Sequence, residues 1–137
     1  YLNKGGNLLV SGAYIASDMS TKEEKAFLKD YLHYTYRCDH ASKQGGVIIN
    51  NRLLESGKHH FATIPNDKLI HTENPDCILP TKDATTVARY ADTNLSAAVA
   101  FDGMSQGYGK TLCWGFMLES SDSFEQIYQN SINWLLK

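Results

Sequence analysis

Cysteine is scarce: Cys38, Cys77 and Cys113 are the three in 137 residues. No two of them have CxxC spacing, which removes a zinc knuckle and a dithiol redox motif from consideration. An oxidising compartment would permit one bridge, for which Cys38 and Cys77 are the candidates, and Cys113 reads as core. Excess charge is missing too. Thirteen Lys and Arg stand against 15 Asp and Glu, a net charge of −2, so nothing gathers a phosphate backbone or an anionic lipid surface, and nucleic acid is a poor partner. No apolar run approaches the roughly 20 residues that cross a bilayer, and no charged-then-apolar leader opens the sequence. Internal repeats and low-complexity tracts are absent. So is an initial methionine: Tyr1-Leu2-Asn3-Lys4-Gly5-Gly6 reads as the last turn of a helix ending at a glycine cap. The expectation is one domain, residues 1–137, forming the C-terminal portion of something larger.

What is present is a globular composition, 42% hydrophobic and 20% charged, which argues against disorder. Asn7–Ser11 is a short apolar run between glycines and predicts a strand covered on both faces, as in a parallel sheet. Ser20-Thr21-Lys22-Glu23 has the form of a capping box and predicts a helix from Thr21 to Tyr34, with Ala26, Phe27, Tyr31 and Tyr34 inward. Between Ala41 and Arg89 turn signals crowd together: Gln44-Gly45-Gly46, Asn50-Asn51, Ser56-Gly57, Pro65-Asn66-Asp67 and Asn74-Pro75-Asp76. They predict short strands at Val47–Asn50, His59–Ile64 and Thr85–Tyr90. Ser96–Phe101 and Lys110–Phe116 read as a strand pair joined by the glycine-rich segment 102–109, expected to be a mobile tip. Ser121-Asp122-Ser123-Phe124-Glu125 opens a final helix that runs to Leu136.

The opening YLNKGGNLLVSGAY and the closing segment Thr111–Leu136 resemble the class I glutamine-amidotransferase-like family, in which a strand leads to a nucleophile elbow. The resemblance implies an α/β fold, a flavodoxin-like or amidotransferase-like sheet flanked by helices, truncated at its N-terminal side and carrying a β-rich middle insertion. It also implies a degenerate site, with Tyr14 at the cysteine's position, Met117 at the histidine's and Glu119 at the acid's. A phenol with a pKa near 10 and a thioether cannot share the proton that thiol attack requires. Over nearly the whole length, LLVSGAYIASD, HTENPDCILPTKDATTVARY and AAVAFDG followed by GKTLCWGFMLES are also similar to domains of secreted bacterial proteins labelled xanthan lyase or golvesin-like. That likeness implies a secreted, periplasmic or envelope setting, with polysaccharide or neighbouring domains of the parent chain as partners.

The candidate binding residues are therefore Tyr14, Asp18, Glu119 and Trp114. Strand ends in open sheets are where ligands sit, and the rings of Trp114, Tyr108 and Tyr90 could stack on sugars. Acids beyond strand ends more often complement helix N-termini. No cofactor is implied. His59 and His60 are adjacent on a strand and point to opposite faces, so they cannot share a metal, and Cys38-Asp39-His40 lacks a second ligand pair. The reading is a non-catalytic binding or scaffolding module of a secreted carbohydrate-active protein. The alternatives are a lyase or hydrolase in which Tyr14 and Glu119 exchange protons, and an interface that uses an edge strand.

Overall fold

The structure is a computed structural model that describes residues 1–65 and 70–137; Asn66 and Asp67 of the expected turn lie outside the described residues. Among the described residues, eight strands and two α-helices follow one another as β1 (Leu8–Ser11), α1 (Lys22–Phe27), β2 (Tyr34–Cys38), β3 (Gly46–Ile49), β4 (Gly57–His60), β5 (Cys77–Pro80), β6 (Thr85–Tyr90), β7 (Ser96–Asp102), β8 (Lys110–Trp114) and α2 (Phe124–Leu135). Six strands make one mixed sheet in the order β1-β8-β7-β6-β3-β4, and β2 and β5 make a second, antiparallel pair.

The expected flavodoxin-like α/β class is corrected by this topology. Among the described residues only β1 and β8 pair in parallel; β8-β7, β7-β6, β6-β3 and β3-β4 are all antiparallel. A doubly wound sheet needs a crossover helix between successive parallel strands, whereas here the strands from β3 to β8 succeed one another with turns and loops. The middle of the chain is not an insertion either. Its strands β3 and β6 continue the sheet outward from β7; alternation along β3 buries Val47 and Ile49, and the irregular β6 buries Val87, Ala88 and Tyr90.

Two apolar clusters cover the two faces of the central strands. On β7 and β8 the paired residues Ala98 and Trp114, and Ala100 and Leu112, join the larger cluster under Ile127, Trp134 and Leu135 of α2. The intervening pair, Val99 and Cys113, faces a smaller cluster of Leu28, Leu32, Tyr34 and Ile78. This alternation is the period of two that a pleated strand imposes. Burial on both sides explains why the two strands read as unbroken apolar runs.

The first helix differs from expectation in register and length. Thr21, not Ser20, is the cap: its hydroxyl accepts from Glu24 N at 3.2 Å, and the Glu24 carboxylate accepts from Thr21 N at 2.9 Å. The helix widens into a π turn over Leu28–Leu32 and stops at His33, which adopts φ 63°. Leu28 and Leu32, at i and i+4, form the buried stripe, while Phe27 and Tyr31 stay exposed and stack on one another. Tyr34-Thr35-Tyr36 are aromatic and β-branched residues that favour a strand, so Tyr34, expected as the last inward residue of the helix, instead begins β2.

Candidate functional site

β1 ends at Ser11, and the chain turns sharply through residues 12–18 before α1. Beneath this turn lies Asp76, fully buried. Its Oδ2 accepts hydrogen bonds from Ala16 N and Ser17 N, both at 2.9 Å. Its own backbone is held as firmly, because Asp76 N donates to Gly115 O at 2.8 Å and Tyr90 Oη donates to Asp76 O at 2.7 Å. Tyr34 Oη donates to Ile15 O at 2.9 Å from the other side. Burial raises the Asp76 carboxyl above the usual carboxylate range, and the amide bonds from Ser17 and Ala16 oppose that rise. The arrangement is a staple in which the Asp76 carboxylate and the Tyr34 phenol tie the turn to the start of β5 and to β2, while the Tyr90 phenol and Gly115 fix Asp76 to β6 and the end of β8.

The sequence-predicted residues take separate places around this staple. Tyr14 is 47% exposed at the tip of the turn, and its hydroxyl accepts from Asn74 Nδ2 at 3.3 Å. Asp18 is exposed at the end of the same turn, where its N–H donates to Tyr14 O at 3.4 Å. Glu119 is exposed in the short helical turn Leu118–Ser120. Met117, which precedes that turn, receives Thr72 Oγ1 as an acceptor for its N–H at 3.1 Å. No hydrogen bond joins Tyr14 and Glu119 among the described residues. Trp114 and Tyr90 are completely buried, so neither presents a face to a sugar, and Trp114 packs edge-to-face on Phe116 at 5.7 Å. Tyr108 alone of the three proposed stacking rings is exposed.

The histidines diverge as their spacing requires: His59 Nδ1 meets Ser123 Oγ at 2.6 Å, and His60 Nε2 meets Gln44 O at 2.7 Å. His40 pairs with exposed Asp39 at 3.2 Å, whereas Cys38 packs toward the core. No group of three or more metal-ligating side chains occurs among the described residues. The glycine-rich segment 102–109 holds a helical turn at Met104–Gln106 and is pinned to the start of the chain, where Gly109 N donates to Leu2 O at 2.9 Å.

Two concavities lie elsewhere. At the amino ends of β1 and β8, a cavity of about 260 Å³ is lined by Asp30, Asp83, Tyr31, Tyr108, Phe101 and His33, among others. The His33 ring stacks on Phe101 with centroids 3.5 Å apart; burial lowers its pKa, against the opposing fields of Asp83 and Asp30. The second is a groove of about 330 Å³ between the first helix and β2, lined by Lys25, Ala26, Leu28, Lys29, Thr35 and Tyr36. Its β2 wall pairs with β5 on one side and with no other strand among the described residues. Strand edges of this kind offer unpaired N–H and C=O groups.

Asp76 and the free edge of β2 escaped the sequence reading. Asp76 sat inside Asn74-Pro75-Asp76, which reads as a turn, and its only signal was an acid directly before the apolar triplet Cys77-Ile78-Leu79. The edge was hidden because the expected helix ran as far as Tyr34 and no strand was expected over the remaining residues of β2, Thr35–Cys38.

These features define a mixed, mainly antiparallel β-sheet domain with two short-to-medium helices and a stapled turn. No family model and no curated protein sequence matches the chain. Among solved structures it is similar to one described as "mmIFT52 N-terminal domain", with a TM-score of 0.70 and 18% sequence identity over 100% of this chain and 68% of that one. Identity this low shows a shared fold and nothing more. It corrects the amidotransferase-like and xanthan lyase-like resemblances, since the likeness over the whole chain is to this domain. The motifs that suggested the first of these were a short strand-and-turn and a strand-and-helix, local patterns that this β-rich fold also contains.

Proposed function

We propose that the domain is a non-catalytic binding and scaffolding module that takes up an extended, acidic segment of a partner polypeptide along β2. The observation that carries this reading is the free edge of β2 standing beside the groove lined by Lys25 and Lys29. An added strand would hydrogen-bond to the open edge and set alternate side chains into the groove, the general mode of strand addition. The groove's charged lining is two lysines spaced i, i+4 on one helix face, so acidic side chains on the incoming strand meet complementary charge. Exposed Tyr36 and Leu79 extend the apolar surface next to it. Proton exchange between Tyr14 and Glu119 has less support, because Asn74 is the group bonded to the Tyr14 hydroxyl.

The test is a panel of synthetic ten-residue peptides alternating apolar residues with Glu, Lys or Ser, titrated into the isotopically labelled chain. The Glu series is expected to shift the amides of residues 34–38. Reversing both groove charges with K25E/K29E is expected to weaken it by about tenfold, a loss of about 1.4 kcal/mol. T35P provides a second check by interfering with the edge itself. Equal binding of the Lys and Glu series, shifts confined to β4 or α2, or self-association along the same edge would overturn the proposal. Turnover of a polysaccharide by the purified chain would overturn its non-catalytic part.

A further inference from the structure

We infer that Cys38 and Cys77 form a modification site, a cross-strand pair that closes to an intramolecular disulfide when a low-molecular-weight disulfide is supplied. β2 and β5 run antiparallel with Tyr34 opposite Pro80, Thr35 opposite Leu79 and Tyr36 opposite Ile78; the register then slips, and Cys38 stands opposite Cys77. The slip is a bulge at Arg37. Without it Arg37 would face Cys77; with it, Cys38 takes that place. The two residues also share surroundings. Cys77 is fully buried in the larger apolar cluster, and Cys38 is a half-buried residue packed against that cluster. Directly opposed residues of antiparallel strands have Cα atoms about 4.5–5.5 Å apart, within the span that a disulfide bridges. Both thiols are free, as is Cys113, but Cys113 lies in the other cluster with Val99 and Leu28 and has no cysteine opposite it.

With oxidised glutathione as the oxidant the chemistry balances. The more accessible Cys38 thiolate attacks one glutathione sulfur, forms a protein–glutathione mixed disulfide and expels one glutathione thiolate. Cys77 then loses its proton to solvent, and its sulfur attacks Cys38 Sγ and expels the second glutathione. Two protein thiols are oxidised and one glutathione disulfide is reduced to two thiols. The second step is the slow one, because burial pushes the Cys77 thiol up to about 11, and the thiolate is the nucleophile. A protein carrying one glutathione should therefore accumulate and decay as the bridge forms.

The consequence is local. The bridge would lock β2 to β5 beside Asp76, closing a loop of about 40 residues, for which chain-entropy arguments give a rise in melting temperature of about 10 °C. The experiment incubates the chain with oxidised glutathione at pH 8, quenches with an alkylating agent over a time course and measures intact and peptide masses. The expected result is a transient single-glutathione adduct on Cys38, then a species two hydrogens lighter than the reduced protein with Cys38 linked to Cys77. C77S should stop at the adduct, C38S should form neither species, and C113S should behave as the native chain. A stable adduct on Cys38 with Cys77 still alkylatable after unfolding would overturn the inference. So would a bridge involving Cys113 or one between two chains.

Discussion

Asp76→Ala tests whether the turn after β1 is held by one buried carboxylate. The substitution removes the acceptor of two amide hydrogens, Ala16 N and Ser17 N, each 2.9 Å from Oδ2. Hydrogen bonds to a charged group contribute about 1.5–3 kcal/mol each, so their loss costs about 3–6 kcal/mol. The native state also stops burying a carboxylate, which returns part of that, and a net loss of about 3 kcal/mol is expected. For a domain of this length the melting temperature should fall by about 10 °C. Urea unfolding followed by tryptophan fluorescence measures it, with an unchanged slope showing that the change lies in stability. Asp76→Asn keeps an oxygen acceptor and should lose less. It also isolates the pH dependence. The folded-state pKa of Asp76 is raised, so the folded chain binds more protons than the unfolded chain above the ordinary value near 3.8. Its stability contribution is full below 3.8 and declines as pH rises through the folded value. The native-minus-Asn stability difference should therefore shrink over that window and then stay level. A loss below about 1 kcal/mol for the alanine variant would refute the staple.

Three further outcomes follow from individual contacts. A Cβ on Gly109 would lie 1.7 Å from the Gly6 carbonyl oxygen, so Gly109→Ala should cost about 3 kcal/mol in chemical denaturation, the upper range for overpacking. Lys110 is buried, donates to Trp134 O at 3.1 Å and lies 5.0 Å from the Trp134 ring; Lys110→Met keeps the stem and should lose about 1 kcal/mol by the same assay. Burial lowers the His33 pKa below 6.5, so the His33 contribution is full above 6.5 and is lost as pH falls through the folded value. Thermal melts of the native chain and His33→Asn should therefore converge with falling pH, Asn being a residue that tolerates the left-handed backbone at this position.

The legible parts of the fold are those where one pattern has one structural meaning. The runs around Val99 and Leu112 are buried on both faces and become adjacent central strands; Thr85–Tyr90 was bounded correctly because a run of β-branched residues closed by an aromatic stands there between turn signals. The final helix, expected from the Ser121–Glu125 signature to run to Leu136, forms over Phe124–Leu135 and buries Ile127, Ser131 and Leu135 on one face. What failed was pairing. An apolar run such as Leu8-Leu9-Val10 satisfies the same local rule whether its neighbours are parallel or antiparallel, and the identity of those neighbours is set by contacts more than 100 residues away. At Tyr34-Thr35-Tyr36, a helical stripe and a strand were both compatible with the residue types, and the left-handed His33 decided between them. Of the candidate site, Tyr14 and Asp18 were correctly expected on the turn after the first strand. Trp114, offered as a binding residue although core packing explained its ring equally well, lies in the core, because nothing local separates a stacking aromatic from a core one. Asp76 acts through amides 60 residues earlier in the chain, a relation no spacing reveals.

Amide hydrogen exchange with and without the alternating Glu peptide measures the docking edge most directly. Residues 34–38 are expected to exchange more slowly in the presence of peptide, with β4 unchanged and the slowing lost in K25E/K29E. Protection spread over β4 or absent from β2 while peptide is bound would contradict it.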